Sequence, residues 1–183
     1  MAVTVKDASG QVYFDSAQPA ASGAIRTEST TAAALTAMTA SDTYTIARLS
    51  CLLDPIAAKA DVEGMGLKNT GGYIFYDGNN LNWLDPSKPA ARQYLCGLAK
   101  ELAEMGFDEI LLTDVSYPTE GKLDKIAYGE TGKVQNLNTF LDEMRAALAE
   151  YDVKLSIELP AAAVSEGSDS QAGLTLADIA PRV

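Results

Sequence analysis

Two carboxylates stand where an α/β protein most readily builds chemistry. Asp114 follows Thr113 at the end of the apolar run Ile110-Leu111-Leu112. Glu158 lies at the end of a second run, Val153 to Leu159. In α/β proteins ligands gather at the C-terminal ends of parallel strands. Two acids on neighbouring strand ends can divide the work of a general acid and a general base. The sequence holds no His, which removes Ser-His-Asp and Cys-His arrangements and the usual zinc sites. Acid–base chemistry therefore falls to carboxylates, Tyr or Lys.

Other reactive residues fall near the same strand ends. Lys6 and Asp7 close the first strand and Arg48 interrupts the second. Together they can form a charged floor that shifts the pKa values of the acids. The competing reading is a structural ion-pair network, with Glu158 paired to Lys154 or Arg48. Tyr76, Trp83 and Tyr117 sit in loops that follow strands; a loop Trp also packs readily under its own loop. Asp77, Asn79 and Asn80 resemble the start of a calcium loop but lack its closing Glu, and read as a turn. Gly64, Gly66, Gly71 and Gly72 do not run from a strand directly into a helix, so they make no phosphate-binding fingerprint.

The elements that must position these groups alternate. Ala2 to Lys6 reads as a strand and Thr30 to Ala40 as an Ala-rich helix with Ser29 as a candidate cap. Thr43 to Leu53 is a second strand. Asp54-Pro55 opens a short helix through Ala60, with Asp54 as N-cap. Tyr73 to Tyr76 is a short strand or extended loop. Lys88 to Met105 is the clearest helix, because Ala91, Tyr94, Leu95, Leu98, Ala99 and Leu102 form one stripe. Gly106 stops it. Phe107 to Asp114 is a third strand, Thr119 to Val134 a long loop, and Leu137, Phe140, Leu141, Met144 and Leu148 mark another helix. Val153 to Leu159 is the fourth strand, with Lys154, Ser156 and Glu158 on one face. Ala161 to Gly173 reads as loop and Leu174 to Ala180 as a last short helix.

This alternation predicts parallel strands joined by right-handed crossovers. The long loops follow strands and the returns from helix to strand are short, as in TIM-type barrels. A barrel takes about 250 residues and eight strands, whereas this chain has 183 residues and four clear strands.

Composition narrows the partners. The net charge of −11 argues against nucleic acid, which needs a basic face. No run reaches the roughly 18 apolar residues of a membrane span, and no secretory signal precedes Ala2. Nothing calls for a cofactor or a metal. Cys51 and Cys96 read as buried thiols, with a disulfide as the alternative.

The order Val5-Lys6-Asp7 with Gly10 and Tyr13, Ala47-Arg48 with Asp54, Trp83-Leu84-Asp85-Pro86, Tyr94, Ala99-Lys100-Glu101, Gly106-Phe107-Asp108-Glu109-Ile110 and Tyr117-Pro118 resembles a glycoside hydrolase family of bacterial TIM-barrel domains. Its members are classed as domains of unknown function and are distantly similar to α-amylase-type barrels. The resemblance covers Val3 to Leu159. It implies that the chain is a single barrel-type domain holding about strands two to five of eight, truncated at both ends. It also implies an extracellular or cell-envelope location. The family reads Phe-Asp-Tyr-Val-Arg-Phe-Pro where this chain has Leu112 to Pro118. Its Asp then falls on Thr113 and its Arg on Ser116. Neighbouring strand residues face opposite ways, so Asp114 takes the place of that Asp only where the backbone turns.

By analogy with those barrels, the resemblance casts Asp114 as nucleophile or base and Glu158 as general acid. Lys6, Asp7, Arg48, Tyr76, Trp83 and Tyr117 become candidate substrate contacts, since aromatic faces stack on sugar rings. The expected partner is a polysaccharide or cell-envelope glycan. The alternatives are a non-catalytic carbohydrate-binding module, consistent with Thr at the family's Asp position, and a structural fragment that dimerises through exposed sheet edges.

Overall fold

The computed structural model describes residues 1–26 and 29–183, without the side chains of Ser29 and Thr30. The cap expected at Ser29 lies outside the described residues. Four strands, β1 (Ala2–Lys6), β2 (Ile46–Ser50), β3 (Glu109–Thr113) and β4 (Lys154–Ile157), form one sheet in the order β1-β2-β3-β4. Every pair is parallel. Helix α1 (Ser29–Thr39) lies between β1 and β2, α2 (Pro55–Ala60) and α3 (Pro89–Glu104) between β2 and β3, and α4 (Lys133–Leu148) between β3 and β4. Sequential parallel order, with a helical crossover between each pair of neighbours, is the arrangement of β/α units in a TIM-type barrel. A doubly wound sheet would reverse its order partway.

Local sequence accounts for the elements. Asp54 caps α2 by accepting the Ala57 N–H at 2.9 Å, with Pro55 at the first helical position; a cap of this kind is worth about 1 kcal/mol. The predicted stripe of α3 is buried throughout, and Gly106 ends the helix at φ 90°, a left-handed conformation cheap only for glycine. In α4 Leu137, Phe140, Leu141, Met144 and Leu148 are buried as the spacing requires. These stripes meet Ala47, Leu49, Ile110 and Leu112, each 0% exposed, so one face of the sheet is sealed. Fully burying one such aliphatic side chain contributes about 1.5–3 kcal/mol. Cys51 and Cys96 are free, buried thiols.

Two segments depart from the expected elements. The stretch read as loop after β4 contains α5 (Ala161–Glu166) and an antiparallel hairpin of β5 (Ser168–Asp169) and β6 (Leu174–Thr175), followed by α6 (Leu176–Ile179). Of the two readings of Tyr73 to Tyr76, the structure has the extended loop, with Ile74 in an isolated bridge to Lys68. β1 carries a bulge: Thr4 pairs with Arg48, but Lys6 pairs with Leu49. Strands β1 and β4 flank the sheet. The outer edge of β1 is blunted near its end, where the Tyr13 N–H donates to the Val5 carbonyl.

Candidate active site

Register decides which side chains share the open face. Arg48 pairs with Leu111 and Leu111 with Ser156, while Ser50 pairs with Thr113. Glu158 continues β4 by donating its N–H to the Leu112 carbonyl, and it lies two residues beyond Ser156. Arg48, Ser50, Thr113 and Glu158 therefore lie on one face, opposite the helices. Thr113, aligned with the family's Asp, occupies that face at its C-terminal end.

Asp114 would point to the other face if the strand continued. It does not continue. Asp114 has φ 54°, one of two non-glycine residues with positive φ among those described. Asp tolerates this region better than most residues because its short polar side chain bonds locally. The Ser50 hydroxyl donates to Asp114 Oδ2 at 2.6 Å, and the Thr113 hydroxyl donates to the same oxygen at 3.0 Å. Its Oδ1 accepts no hydrogen bond from a described residue. The turn thus carries the carboxylate back over the open face, beside the residue that holds the family's Asp position. One oxygen is held and the other remains available.

Glu158 lies against the same small cleft. Asp114, Val115, Ser116, Glu158, Leu159 and Pro160 line a cavity of about 190 Å³. Arg48 Nη2 donates to Glu158 Oε1 at 2.9 Å and Oε2 at 2.8 Å. Both partners are about half exposed, at 42% and 54% of their side chains. The structure forms the Arg48 pairing expected as the competing reading for Glu158. A carboxylate held in such a pair must take up a proton before it can act as a general acid.

The charged floor does not assemble. Simple alternation would put Lys6 beside Ser50 on the face of Arg48. The bulge after Thr4 instead sets it opposite Leu49, on the helix side. There Lys6 is fully buried, 3.1 Å from Asp54 Oδ2, and donates to the Ser50 carbonyl at 2.8 Å. Asp7 turns back on its own loop and accepts from Ser9 N and Oγ, Gln11 N and the Tyr13 hydroxyl. Partial burial works against its ionisation, but these hydrogen bonds outweigh it and hold the carboxyl below its ordinary value.

The three aromatic residues separate. Tyr76 is 46% exposed, with the Lys59 ammonium 5.8 Å from its ring centre. Trp83 is buried and its Nε1 donates to Asp77 Oδ2 at 2.8 Å, so it packs under its own loop. Tyr117 is also buried, edge-on to Tyr128, with its hydroxyl accepting from Asn136 Nδ2 at 2.9 Å. Burial pushes its phenol pKa up. Only Tyr76 of the three offers an open ring. Asp77 Oδ1 accepts from Asn79 N and Leu81 N, both at 2.9 Å, forming the expected turn.

Sequence reasoning missed Ser50 as a functional candidate. Its signal was present: a hydroxyl at the last position of β2, in register with Thr113. Among the described residues no group of three His, Cys, Asp or Glu side chains gathers to hold a metal ion.

One solved structure shares the fold at a TM-score above 0.7. A hypothetical protein from Ruminiclostridium thermocellum ATCC 27405 superposes with a TM-score of 0.72 at 29% identity, covering 86% of this chain and 81% of that one. The glycoside hydrolase domain of PelA from Pseudomonas aeruginosa aligns at 16% identity and a TM-score of 0.46, covering 86% of this chain and 59% of that one. Aspergillus fumigatus Ega3, in complex with galactosamine, aligns at 12% identity and a TM-score of 0.45, covering 90% and 60%. The chain spans about three fifths of these last two, and at such scores neither bears on individual residues. No curated protein sequence matches the chain. Residues 1–183 match the model of the family described as "Putative glycosyl hydrolase domain", and the chain belongs to that family.

Proposed function

We propose that this domain acts on a glycan, either a polysaccharide or a component of the cell envelope, and hydrolyses it with Asp114 and Glu158. The observation that carries the reading is the left-handed turn at Asp114. It gives an acid with one oxygen fixed by Ser50 and Thr113 and one oxygen open, on the face and in the cleft that Glu158 shares. Backbone strain of this kind collects at functional sites and runs from an observed outlier to a hypothesis of role. Glycosidases place two carboxyl groups on either side of the scissile bond.

In this reading Asp114 Oδ1 attacks the anomeric carbon or takes a proton from water. Glu158 takes a proton from solvent as substrate draws Arg48 away and donates it to the leaving oxygen as the glycosidic bond breaks; where Asp114 has attacked, water then hydrolyses the glycosyl ester. Tyr76 lies outside this cleft, and its ring is open to a more distant sugar unit. Trp83, Tyr117, Lys6 and Asp7 shape and brace the loops rather than touch sugar. Replacing Glu158 with Gln tests the role assignment: turnover on a panel of α- and β-glucans should fall by about 10²–10⁴-fold, the usual worth of a general acid, with the fold unchanged by circular dichroism. Full activity in that variant refutes the assignment.

A second reading has its own observation. Both oxygens of Glu158 accept from Arg48, and Thr113 holds the family's Asp position. A non-catalytic carbohydrate-binding domain fits those two facts. It predicts glycan binding by the unaltered protein with no release of reducing ends.

A further inference from the structure

We propose a second carbohydrate subsite, distinct from the Asp114–Glu158 cleft, that takes a neutral hexose unit of a longer glycan. It rests on the reading of this domain as one that acts on glycans. The site is a cavity of about 450 Å³ between the loops that follow β2 and β3, lined among others by Asn69, Ile74, Tyr76, Asp77, Lys122 and Lys125. In a parallel sheet both loops rise from the C-terminal end, the end that carries Asp114.

The cavity is built before any ligand arrives. The Gly78 N–H donates to the Glu120 carbonyl at 3.2 Å. Gly121 sits at φ 102°, and a β-carbon there would lie 2.9 Å from Gly78 N, so the two loops touch through glycines. The Thr70 N–H donates to the Lys125 carbonyl at 2.7 Å. Asp77 is fixed by Trp83, Asn79 and Leu81. Such preformed, mixed apolar and polar concavities are the usual form of small-ligand sites.

Its chemistry selects the ligand class. Tyr76 supplies a half-exposed ring. Asn69 Oδ1 accepts from the N–H groups of Gly71 and Tyr73, so its amide nitrogen is the group it can offer a ligand. The ammonium groups of Lys122, Lys125 and Lys59, the last 5.8 Å from the Tyr76 ring centre, are matched in number by the carboxylates of Asp77, of Asp124, 3.0 Å from Lys125, and of Glu120, which accepts from Asn79. Donors, acceptors and one aromatic face at zero local net charge suit a hydroxyl-rich, uncharged ring. On a chain of net charge −11 an anionic sugar gains nothing from the surroundings.

The two sites can share one ligand. Successive hydrogen bonds run from Asp114 to Leu52, from Leu52 to Leu84, from Trp83 to Leu67 and from Leu67 to Phe75. Four strand-like steps of about 4.8 Å, with a one-residue offset from Leu84 to Trp83, put the backbones of Asp114 and Phe75 on the order of 20 Å apart or less. An oligosaccharide can reach across such a separation. The domain should therefore favour long chains.

The test is calorimetric titration of the Asp114→Asn protein with cello-, malto- and chito-oligosaccharides, comparing the hexasaccharide with the disaccharide in each series, and with trigalacturonate. We expect one neutral hexasaccharide to bind about tenfold or more tighter than its disaccharide, the worth of one well-made polar or stacking contact. Trigalacturonate should not match it, and Tyr76→Ala should remove the increment while leaving disaccharide binding unchanged. Lys122→Gln, at the cavity rim, should reduce it in part. Equal binding of the two lengths in all three series, no binding at all, tighter binding of trigalacturonate, or an increment that survives Tyr76→Ala overturns the proposal. Turnover by the unaltered protein is measured separately. Loss of the hydrolase reading with the increment intact would leave the subsite standing.

Discussion

Two ion pairs sit near the same end of the sheet and behave differently. Lys6 and Asp54 are each 0% exposed at 3.1 Å; Arg48 and Glu158 are about half exposed at 2.8 Å. The first lies on the face covered by helices, where the Lys6 ammonium also holds the Ser50 carbonyl and Asp54 caps α2. The second lies on the open face beside the cleft. Burial turns one pair into scaffold, because a buried charge cannot lose its partner cheaply. Exposure leaves the other free to exchange a partner for a ligand. The sealed pair positions the strand ends on which the open pair, Ser50 and Asp114 depend.

The largest expected effect breaks the sealed pair. Lys6→Met should cost about 3–5 kcal/mol by stranding Asp54 in the interior, read as a lowered midpoint in urea. Adding Asp54→Asn should restore most of it, since Asn caps a helix as well as Asp does and no buried charge remains. Next comes the link between the two regions. Ser50→Ala removes the 2.6 Å bond to Asp114 and should lower turnover about tenfold, as loss of a hydrogen bond to a charged group would; Ser50→Thr should recover much of the activity.

On the open face, Arg48→Ala should change stability by less than about 1 kcal/mol, because exposed pairs contribute little. A loss as large as that of Lys6→Met would erase the contrast between the pairs. The smallest effect concerns the thiols. Burial raises both, that of Cys96 to about 12 and that of Cys51 further. Neither should react with a thiol reagent at pH 8 in the native protein, and both should react in denaturant. Ready labelling of Cys51 would show that the helix-covered face opens.

Much of this was legible in the sequence. Periodicity located all four strands, and the stripes of α3 and α4 gave the sealed face. The caps at Asp54 and Gly106 followed from residue type. The alternation in β4 placed Lys154, Ser156 and Glu158 together. What escaped had no periodic signal. A one-residue bulge reversed Lys6 without changing composition or spacing. The run Ala161 to Glu166 is a single helical turn and a half with no stripe, and its hairpin has strands of two residues. Tyr117 follows the strand end but dives under the loop to meet Asn136, a contact nineteen residues distant. The turn at Asp114 was legible only as a question, posed by Thr113 standing where the family has Asp.

Asp114 therefore bears the most direct test. Reducing-end release from a glycan panel should be measured for the unaltered protein and for Asp114→Asn, with folding matched by urea denaturation. The account predicts measurable hydrolysis of at least one glycan by the first and a loss of about 10²–10⁴-fold or more in the second. Equal hydrolysis by both proteins would contradict it.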